Sequence, residues 1–484
     1  MLRAYLHRNA DTAFGREYGF TNISDISTYQ QRVPVVSYEG IAPWVERIAK
    51  GEPRVLTTEP VKVLERTSGG YGRDKLIPYT ESLLTEFSAA TNPWIFDLYR
   101  QRPRLMGTSS YWSVSPATRK KEYSEGGLAI GFDDDTEYFS GLQRSILNRL
   151  MAVPGDVARI SDFETWRRVT LTHLLSDSDL GLISVWNPSF LTLLMEALAE
   201  DLNGYLDVLP APRRKGLQRR LERAGTLTGE VLWPKLGLIS CWTDGVAGQF
   251  LGDLRRWFPK TEIQGKGLLA TEGVISFPLT GQSGAVAAVN SHFMEFKDLQ
   301  NPNATPLLVN QLREGGHYSP IISTGAGFYR YALGDALRCV GHYRHVPLFK
   351  FEGRVDKTSD ICGEKLSIRM VDLAMEKARQ ASGLSSRFAM LAPRLTRPPQ
   401  YVLYLETNDQ QSVVENFLAI IEAELSQSQH YNYCRTLGQL GPVTLKRVVH
   451  GQQTYLDTLV GLGVRRGDIK PTHLDGRSIW DEHF

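Results

Sequence analysis

Two patterns of hydrophobic positions alternate along this chain: short β-branched runs and longer stretches with helical spacing. The run at residues 61–64 is apolar and β-branched, which is typical of a buried strand. A glycine-rich turn and a second short run follow it. The next apolar residues are spaced as on one face of a helix over 80–101, at Leu83, Phe87, Ala90, Trp94 and Leu98. The pattern therefore predicts strand, turn, strand and helix.

Further along the chain, the same alternation predicts an α/β protein. Residues 182–186 and 236–242 have the composition of buried strands, and a helical pattern covers 190–202. Around residue 352 apolar strand character gives way to a charged, glycine-containing segment. We therefore predict a domain of residues 1–352 and a smaller α+β domain of residues 353–484.

The turn after the first strand has residues suited to binding phosphate. Thr67 and Ser68 lead into Gly69 and Gly70, with cations soon after. Glycines allow backbone N–H groups to converge on phosphate oxygens, and the hydroxyls add donors. An ordinary glycine-rich hairpin explains the same local pattern equally well. The nucleoside-triphosphatase loop is excluded, because no glycine-lysine-hydroxyl run closes this one.

Polar residues at the end of the 182–186 strand suggest a ligand wall. Trp186, Asn187 and Ser189 stand where the strand gives way to a helix, the edge at which α/β proteins commonly bind ligands. A routine helix cap explains Asn187 and Ser189 equally well. Trp112, in a predicted strand over 107–115, adds a second aromatic residue, which suits a hydrophobic or aryl acid as well as a plain core.

Two acidic residues lie at predicted strand junctions. Glu272 stands between two strand-like runs and is either a metal ligand or part of a turn. Gly265, Gly267 and Ala270 just before it formally fit a dinucleotide-binding fingerprint, which we reject because no helix pattern follows. Asp335 follows a glycine at a strand entrance, where it can accept hydrogen bonds from a ribose diol or form an Asx turn.

Composition narrows the class of protein. Of the 484 residues 42% are hydrophobic and 22% charged, and the formal net charge is +2, which provides no field to attract nucleic acid or an anionic membrane. The four cysteines lie far apart without a C-x-x-C pair, as expected in a reducing compartment. No apolar leader or membrane-spanning run occurs. We expect a cytoplasmic protein without nucleic-acid or membrane partners.

The order of these motifs resembles the adenylate-forming (ANL) superfamily. Within it the chain is most similar to the bacterial branch of the Gretchen Hagen family of acyl acid amido synthetases. The resemblance covers nearly the whole chain. It is carried by residues 65–69, 75–80, 270–273, 329–335 and 363–366.

The resemblance implies a two-step ligase that uses ATP and Mg²⁺. A carboxylic acid is adenylated with release of pyrophosphate, and an amine, usually an amino acid, then displaces AMP. It also implies a large adenylating N-terminal domain of several subdomains, with mixed sheets flanked by helices, and a mobile C-terminal domain.

The same resemblance assigns roles to individual residues. Glu272 would bind Mg²⁺, and Lys470 would stabilise charge at the α-phosphate. The remaining nucleotide-binding positions are Thr67, Ser68, Gly69, Gly70, Thr271, Tyr331, Asp335, Phe351 and Arg354. The chain departs from plant relatives at Lys470, which is followed directly by Pro471 with no arginine just after.

Two other functions remain open from the sequence. An adenylating enzyme that passes the acyl group to a thiol such as coenzyme A would share the first half-reaction. A catalytically silent nucleotide-binding scaffold would keep the fold, although the presence of both Glu272 and Asp335 argues against it. The acid and the amine are not specified by any motif.

Overall fold

The computed structural model describes residues 1–67, 75–112, 122–131, 150–160, 162–355, 358–462 and 472–484. Contacts within the chain divide these residues into two units, the first formed by residues 1–67 and 75–353 and the second by residues 354–484. The predicted Ser68, Gly69, Gly70 and Lys470 lie outside the described residues.

The first unit mixes helices with several sheets. Its helices are α1 (Leu2–Arg8), α2 (Ala13–Glu17), α3 (Ile26–Arg32), α4 (Tyr38–Ala49), α5 (Glu81–Gln101), α6 (Phe163–Ser176), α7 (Pro188–Glu200), α8 (Leu202–Asp207), α9 (Ala211–Ala224), α10 (Gly229–Leu232) and α11 (Leu251–Trp257). Its strands as far as residue 264 are β1 (Val63–Thr67), β2 (Lys75–Tyr79), β3 (Ser109–Trp112), β4 (Glu122–Tyr123), β5 (Ala129–Ile130), β6 (Leu180–Ser184), β7 (Leu238–Ser240) and β8 (Glu262–Gln264).

The later strands build the antiparallel part of the same unit. They are β9 (Leu269–Ala270), β10 (Gly273–Val274), β11 (Ser276–Phe277), β12 (Ala285–Ala287), β13 (Phe293–Asp298), β14 (Leu307–Leu308), β15 (His317–Ser323), β16 (Tyr331–Ala332), β17 (Asp335–Tyr343) and β18 (Val346–Arg354). Strands β9 and β10 pair only with each other, and the others form one sheet with the order β11-β12-β18-β17-β15-β13-β14, in which β16 pairs with β15.

Helix α5 forms where the apolar spacing predicts it. The Thr80 hydroxyl caps its first turn by accepting from the Leu83 backbone N–H, which satisfies one of the donors that a helix start leaves unpaired. The five predicted positions, from Leu83 to Leu98, are all buried in the core of the first unit. The prediction of strand, second strand and helix over residues 61–101 is confirmed, since β1 and β2 pair as an antiparallel hairpin before α5.

A second sheet of the first unit is parallel throughout. Its order is β3-β6-β7-β8, and all three strand pairs run in the same direction. Strands β6 and β7 are buried along their whole length, as a central parallel strand covered on both faces must be. Trp112 and Ser184 therefore end their strands at one common edge of the sheet, and the chain leaves β7 and β8 at that same edge.

A buried ion pair joins the antiparallel sheet to α3. The Arg330 guanidinium donates to both oxygens of Glu295 at 3.0 Å and to the carbonyls of Gln30 and Val33 at 2.7 Å. The side chains of Arg330 and Glu295 are only 4% and 1% exposed. Three of these four contacts are buried and the one to Gln30 is partly buried, so together they fix the backbone of residues 329–331 against α3.

The second unit is a smaller α+β assembly. Its strands are β19 (Thr358–Ser359), β20 (Leu366–Ser367), β21 (Phe388–Arg394), β22 (Gln400–Glu406) and β23 (Thr444–Arg447). Its helices are α12 (Ile368–Ser382), α13 (Gln411–Leu425), α14 (Gln429–Thr436) and α15 (Gly451–Gly461). A core that includes Met390, Val402, Tyr404 and Trp480 packs within it. The predicted α/β fold class is confirmed, whereas the boundary between residues 352 and 353 stays a prediction.

Among the described helices, none combines the length and the apolar character needed to cross a membrane.

We predict that Arg330→Met lowers the free energy of unfolding by about 3–5 kcal/mol, because the Glu295 carboxylate keeps the Gln30 side-chain amide but is buried without its cationic partner. Urea unfolding followed by circular dichroism measures the loss. Arg338→Met is the matched control, since Arg338 pairs with Glu352 at the surface, with side chains 46% and 34% exposed, and should cost less than about 1 kcal/mol. Equal losses in the two variants would contradict the prediction.

Candidate functional site

A tight hairpin presents Glu272. Strands β9 and β10 pair with Ala270 opposite Gly273, so that Thr271 and Glu272 form the two-residue turn between them. Glu272 is only 8% exposed, although it lies in a turn. The Tyr331 hydroxyl donates to its Oε1 at 3.1 Å, and the Tyr79 hydroxyl donates to the Thr271 carbonyl at 2.6 Å. Three segments that carry the family resemblance, residues 75–80, 270–273 and 329–335, therefore meet at this turn.

The side chain of His292 stabilises the β9–β10 hairpin. Its Nε2 accepts from the Val274 backbone N–H at 3.1 Å, and its Nδ1 lies 3.0 Å from Glu86 Oε2. Because Nε2 accepts, Nδ1 carries the proton of the neutral ring and donates to Glu86. A Cβ added to Gly273 would lie 2.7 Å from His292 Nε2. The close approach of the ring therefore requires glycine after Glu272.

Glu86 connects this arrangement to the N-terminal helix. Its Oε1 accepts from the Tyr5 hydroxyl at 2.6 Å and from the Gly325 backbone N–H at 2.9 Å. Burial, followed by the Glu86 charge, raises the pKa of Tyr5 well above its ordinary value. The tyrosine hydroxyl consequently remains a donor at any physiological pH.

Asp335 lies a short distance along the chain from Tyr331. Tyr331 is in β16, and Asp335 is the first residue of β17 after a turn in which Gly334 has φ +78°. Asp335 is 6% exposed. Four residues span at most about 14 Å, so the carboxylates of Asp335 and Glu272 belong to the same region of the first unit.

Phe351 and Arg354 both lie on β18 but belong to different units. The Phe351 backbone N–H donates to Asp244 Oδ2 at 3.2 Å, and burial raises the pKa of Asp244. Gly245, with φ +59°, packs against the Phe351 ring, from which a Cβ would be 3.2 Å away. Arg354 ends β18 and starts the second unit. Of the other predicted nucleotide-binding residues, Thr67 is the last residue of β1, where it pairs with Lys75 of β2.

Tryptophans collect at the carboxyl edge of the parallel sheet, around one lysine. Lys266 Nζ is 5.0 Å from the ring centroid of Trp186, 5.6 Å from that of Trp112 and 5.4 Å from that of Trp94. It also donates to the Ser184 hydroxyl at 2.6 Å. The structure thus brings together the predicted Trp112 and Trp186.

Sequence reasoning missed the lysine at the centre of this cluster. Lys266 is 4% exposed and follows β8 between two glycines. The sequence does show one charged residue, Lys266, in the glycine-containing segment that follows a strand, and this isolated cation could have been noticed. As predicted, no helix follows the glycines, because the β9–β10 hairpin begins there instead.

Asn187 acts as a helix cap. Its side-chain oxygen accepts from the Ser189 backbone N–H at 2.9 Å at the start of α7, and the side chain is buried. The geometry shows the cap, and a contact of Asn187 or Ser189 with a substrate stays a prediction. Trp186, by contrast, is 40% exposed.

A second cluster of polar groups lies inside the second unit. Ligand atoms of Cys362, Glu364 and Cys434 all lie within 4.8 Å of one another. The Glu364 carboxylate already accepts from the backbone N–H groups of Ile361 and Cys362 and from the Tyr401 hydroxyl. Burial raises the pKa of the Cys362 thiol well above its ordinary value, which disfavours the thiolate that a metal needs. These contacts favour a hydrogen-bonded core cluster over a metal centre.

Models of three protein-family domains match the chain in order. The GH3 family N-terminal domain matches residues 1–263, the central domain residues 285–354 and the C-terminal domain residues 369–476.

Several named proteins are similar to this chain over nearly its full length. Indole-3-acetic acid-amido synthetase GH3.15 of Arabidopsis thaliana is 24% identical, over 100% of this chain and 90% of its own. The 4-substituted benzoates-glutamate ligase GH3.12 of the same plant is 22% identical, over 92% and 87%. Jasmonoyl-L-amino acid synthetase JAR4 of Nicotiana attenuata is 21% identical, over 97% and 89%. The solved GH3.15 acyl acid amido synthetase shares the fold, with a TM-score of 0.63 at 21% identity, over 98% of this chain and 90% of that one.

We predict that Glu364 makes the second unit less stable as the pH rises from about 4.5 to about 7. Burial, followed by the charge of Asp360, raises the pKa of Glu364 from 4.5 to about 7. The folded state therefore binds more protons than the unfolded state in this window, and the free energy of unfolding falls with pH. Chemical unfolding at a series of pH values measures the slope.

Glu364→Gln should flatten that slope, although the variant loses an acceptor and is less stable at every pH. Glu415→Gln, at an exposed position of α13, is the control and should keep the wild-type slope. Parallel profiles for the wild type and Glu364→Gln would overturn the assignment.

Proposed function

The chain belongs to the GH3 family, and from this premise we propose that it is an ATP-dependent ligase that adenylates a carboxylic acid and transfers the acyl group to an amine. The observation that carries the proposal is the hydrogen bond from Tyr331 to Glu272, because it joins two motifs that lie 59 residues apart in sequence. Names of the similar proteins describe acids joined to amino acids, which favours an amino acid as the amine.

In the first step, a carboxylate oxygen attacks the α-phosphorus of ATP and pyrophosphate leaves. Both reactants are anionic, so the site needs donors and positive charge aimed at the phosphates. Thr67, Ser68, Gly69 and Gly70 would supply hydroxyl and backbone donors. Asp335 would accept from the ribose hydroxyls, and Thr271, Tyr331, Phe351 and Arg354 would line the rest of the nucleotide site.

Glu272 has the chemistry of a Mg²⁺ ligand. A hard cation of this kind is usually bound by one or two carboxylates together with phosphate oxygens. The Tyr331 hydroxyl donates to Oε1 of Glu272, and this carboxylate would be the group that holds the ion. Bound Mg²⁺ would neutralise phosphate charge. The residues around it fix the carboxylate: Tyr331 holds its oxygen, and His292 holds the hairpin.

In the second step, the amine nitrogen attacks the acyl carbon, loses a proton and expels AMP. Lys470 and the segment around it would serve the first step by stabilising charge at the α-phosphate. A C-terminal domain of residues 353–484 that rotates between the steps would bring Lys470 in and then withdraw it.

The four cysteines support a cytoplasmic location. All are free thiols and all are buried, as expected for a protein kept in a reducing compartment.

Glu272→Gln should raise the Mg²⁺ concentration for half-maximal acid-dependent pyrophosphate exchange by at least about 10-fold. Even the groups that support metal ligands contribute about 10- to 100-fold to metal affinity, so a direct ligand should contribute no less. Exchange of labelled pyrophosphate into ATP across a Mg²⁺ series measures the shift. Glu314→Gln, at an exposed position of the same unit, is the control. An unchanged Mg²⁺ dependence in Glu272→Gln would remove Glu272 from the metal site.

Lys470→Ala should reduce acid-dependent pyrophosphate exchange by about 10²–10³-fold, since it removes a cation that acts in the transition state. ATP binding, measured by equilibrium titration, should persist. Lys377→Ala is the control, because Lys377 forms a partly exposed pair with Glu424 in the second unit. Normal exchange in Lys470→Ala would show that another residue has this role.

The acceptor is tested separately with panels of amines and thiols offered to the wild-type enzyme and its best acid. Amide formation supports the proposal, and a thioester product would identify an acyl-CoA-type ligase instead. Absence of any acid-dependent ATP turnover would point to a nucleotide-binding scaffold.

A further inference from the structure

The hairpin that carries Glu272 is too small to hold its own geometry. Strands β9 and β10 have two residues each, and in the described part of the chain they pair only with each other. A two-stranded ribbon is marginally stable in water even when it is longer, so this one takes its shape from the side chains that pack against it. The direction of the Glu272 carboxylate therefore depends on what holds Val274, the last residue of β10.

Two consecutive side chains hold both backbone groups of Val274. Its N–H donates to His292 Nε2 at 3.1 Å, and its carbonyl accepts from the Ser291 hydroxyl at 3.2 Å. Both side chains belong to buried residues, so water does not compete for these hydrogen bonds. Ser291 and His292 thus take the place of a neighbouring strand for β10, two residues after Glu272.

A buried carboxylate determines which ring nitrogen of His292 carries the proton. Glu86 Oε2 lies 3.0 Å from Nδ1, and Glu86 Oε1 accepts from the Tyr5 hydroxyl at 2.6 Å and from the Gly325 backbone N–H at 2.9 Å. A carboxylate surrounded by donors acts as an acceptor, so Nδ1 keeps its proton and Nε2 accepts from Val274. Carboxylates fix the tautomer of metal-binding histidines in the same way.

Helix α1 supports the partner of Glu272 as well. Asn9, at the C-terminal end of α1, donates from Nδ2 to the Tyr329 hydroxyl at 2.8 Å, and both residues are buried. Tyr329 precedes by two residues Tyr331, whose hydroxyl donates to Glu272. Because Tyr5 of the same helix anchors the contacts behind the hairpin, α1 connects the two sides of the bond between Tyr331 and Glu272.

We propose that His292 and Glu86 are positioning residues that set the metal affinity of Glu272, with Tyr5 of α1 as their anchor. This inference rests on the proposed ligase function, in which Glu272 binds Mg²⁺ beside the ATP phosphates. The His292 side chain is fully buried, and each of its nitrogens has a partner. The pair needs no contact with the ion, because a hairpin held at Val274 presents the Glu272 carboxylate in one direction before the ion binds.

Two substitutions at His292 separate the roles of its nitrogens. His292→Gln keeps an acceptor near the position of Nε2, whereas His292→Asn keeps only a donor near the position of Nδ1. His292→Asn should weaken Mn²⁺ binding in the presence of α,β-methylene-ATP by about 10- to 100-fold, the usual loss for groups behind a metal ligand, and His292→Gln by less than about 10-fold. Electron paramagnetic resonance of free Mn²⁺, which takes the same oxygen ligands as Mg²⁺, measures the binding.

Amide hydrogen exchange of the metal-free protein is the second readout. In the peptide of residues 268–276, His292→Asn should speed exchange, since the Val274 N–H loses its acceptor, and His292→Gln should stay near wild type. Tyr5→Phe keeps the ring and removes one donor to Glu86. It should weaken Mn²⁺ binding in the same direction as His292→Asn but by less.

His317→Gln is the matched control. His317 in β15 forms the same kind of pair with Glu352, with Nδ1 2.7 Å from Oε2, but the two side chains are 37% and 34% exposed. This variant should keep the wild-type Mn²⁺ affinity and the wild-type exchange rate of the hairpin. In pyrophosphate exchange, His292→Asn should need more Mg²⁺ for half-maximal rate and recover most of its kcat at saturating Mg²⁺.

The outcomes separate this inference from the ligase proposal. If wild type exchanges pyrophosphate with no acid of a broad panel, the proposed function fails. If Glu272→Gln weakens Mn²⁺ binding and His292→Asn does not, the positioning role of His292 is overturned. It is also overturned if His292→Asn and His292→Gln lower the melting temperature equally and leave Mn²⁺ affinity unchanged, since that result indicates a purely structural histidine.

Discussion

The ion pair between Arg330 and Glu295 is the constraint on which the region around Glu272 depends. Arg330 lies between Tyr329 and Tyr331, and its backbone has φ +48°, which residues other than glycine rarely adopt. Its guanidinium holds that conformation by donating to a buried carboxylate and to two backbone carbonyls. The neighbouring Tyr331 can then reach Glu272 with its hydroxyl.

Local patterns were sufficient to predict the elements and the turn that carries Glu272. The apolar spacing over 80–101 identifies α5, because one helical face must be buried whatever it packs against. The rejection of a dinucleotide site at Gly265 and Gly267 was also sound, since it depended only on the lack of a helix immediately after these glycines. The family resemblance added the order of the motifs, which no single motif provides.

Contacts between distant segments could not be predicted from one sequence. Glu86 and His292 are 206 residues apart, yet together they fix the hairpin of Glu272. The grouping of three tryptophans around Lys266 depends on the strand order of the parallel sheet and on the placement of α5. The local sequence around Lys266, a lysine between two glycines, does not indicate which aromatic rings it contacts in the fold. Asn187 shows the reverse case, because its cap of α7 is a local contact that the sequence pattern indicates by itself.

The parallel sheet and the β9–β10 hairpin carry different sets of candidate residues in the first unit. The aromatic residues Trp112, Trp186 and Trp242 lie on chain exits of one sheet, whereas Glu272 and Asp335 are held by a hairpin and an antiparallel sheet with their own anchors. Exchanging an aromatic side chain at a strand exit leaves those anchors in place. Mutations at this edge of the parallel sheet can therefore accumulate while the geometry around Glu272 stays unaltered.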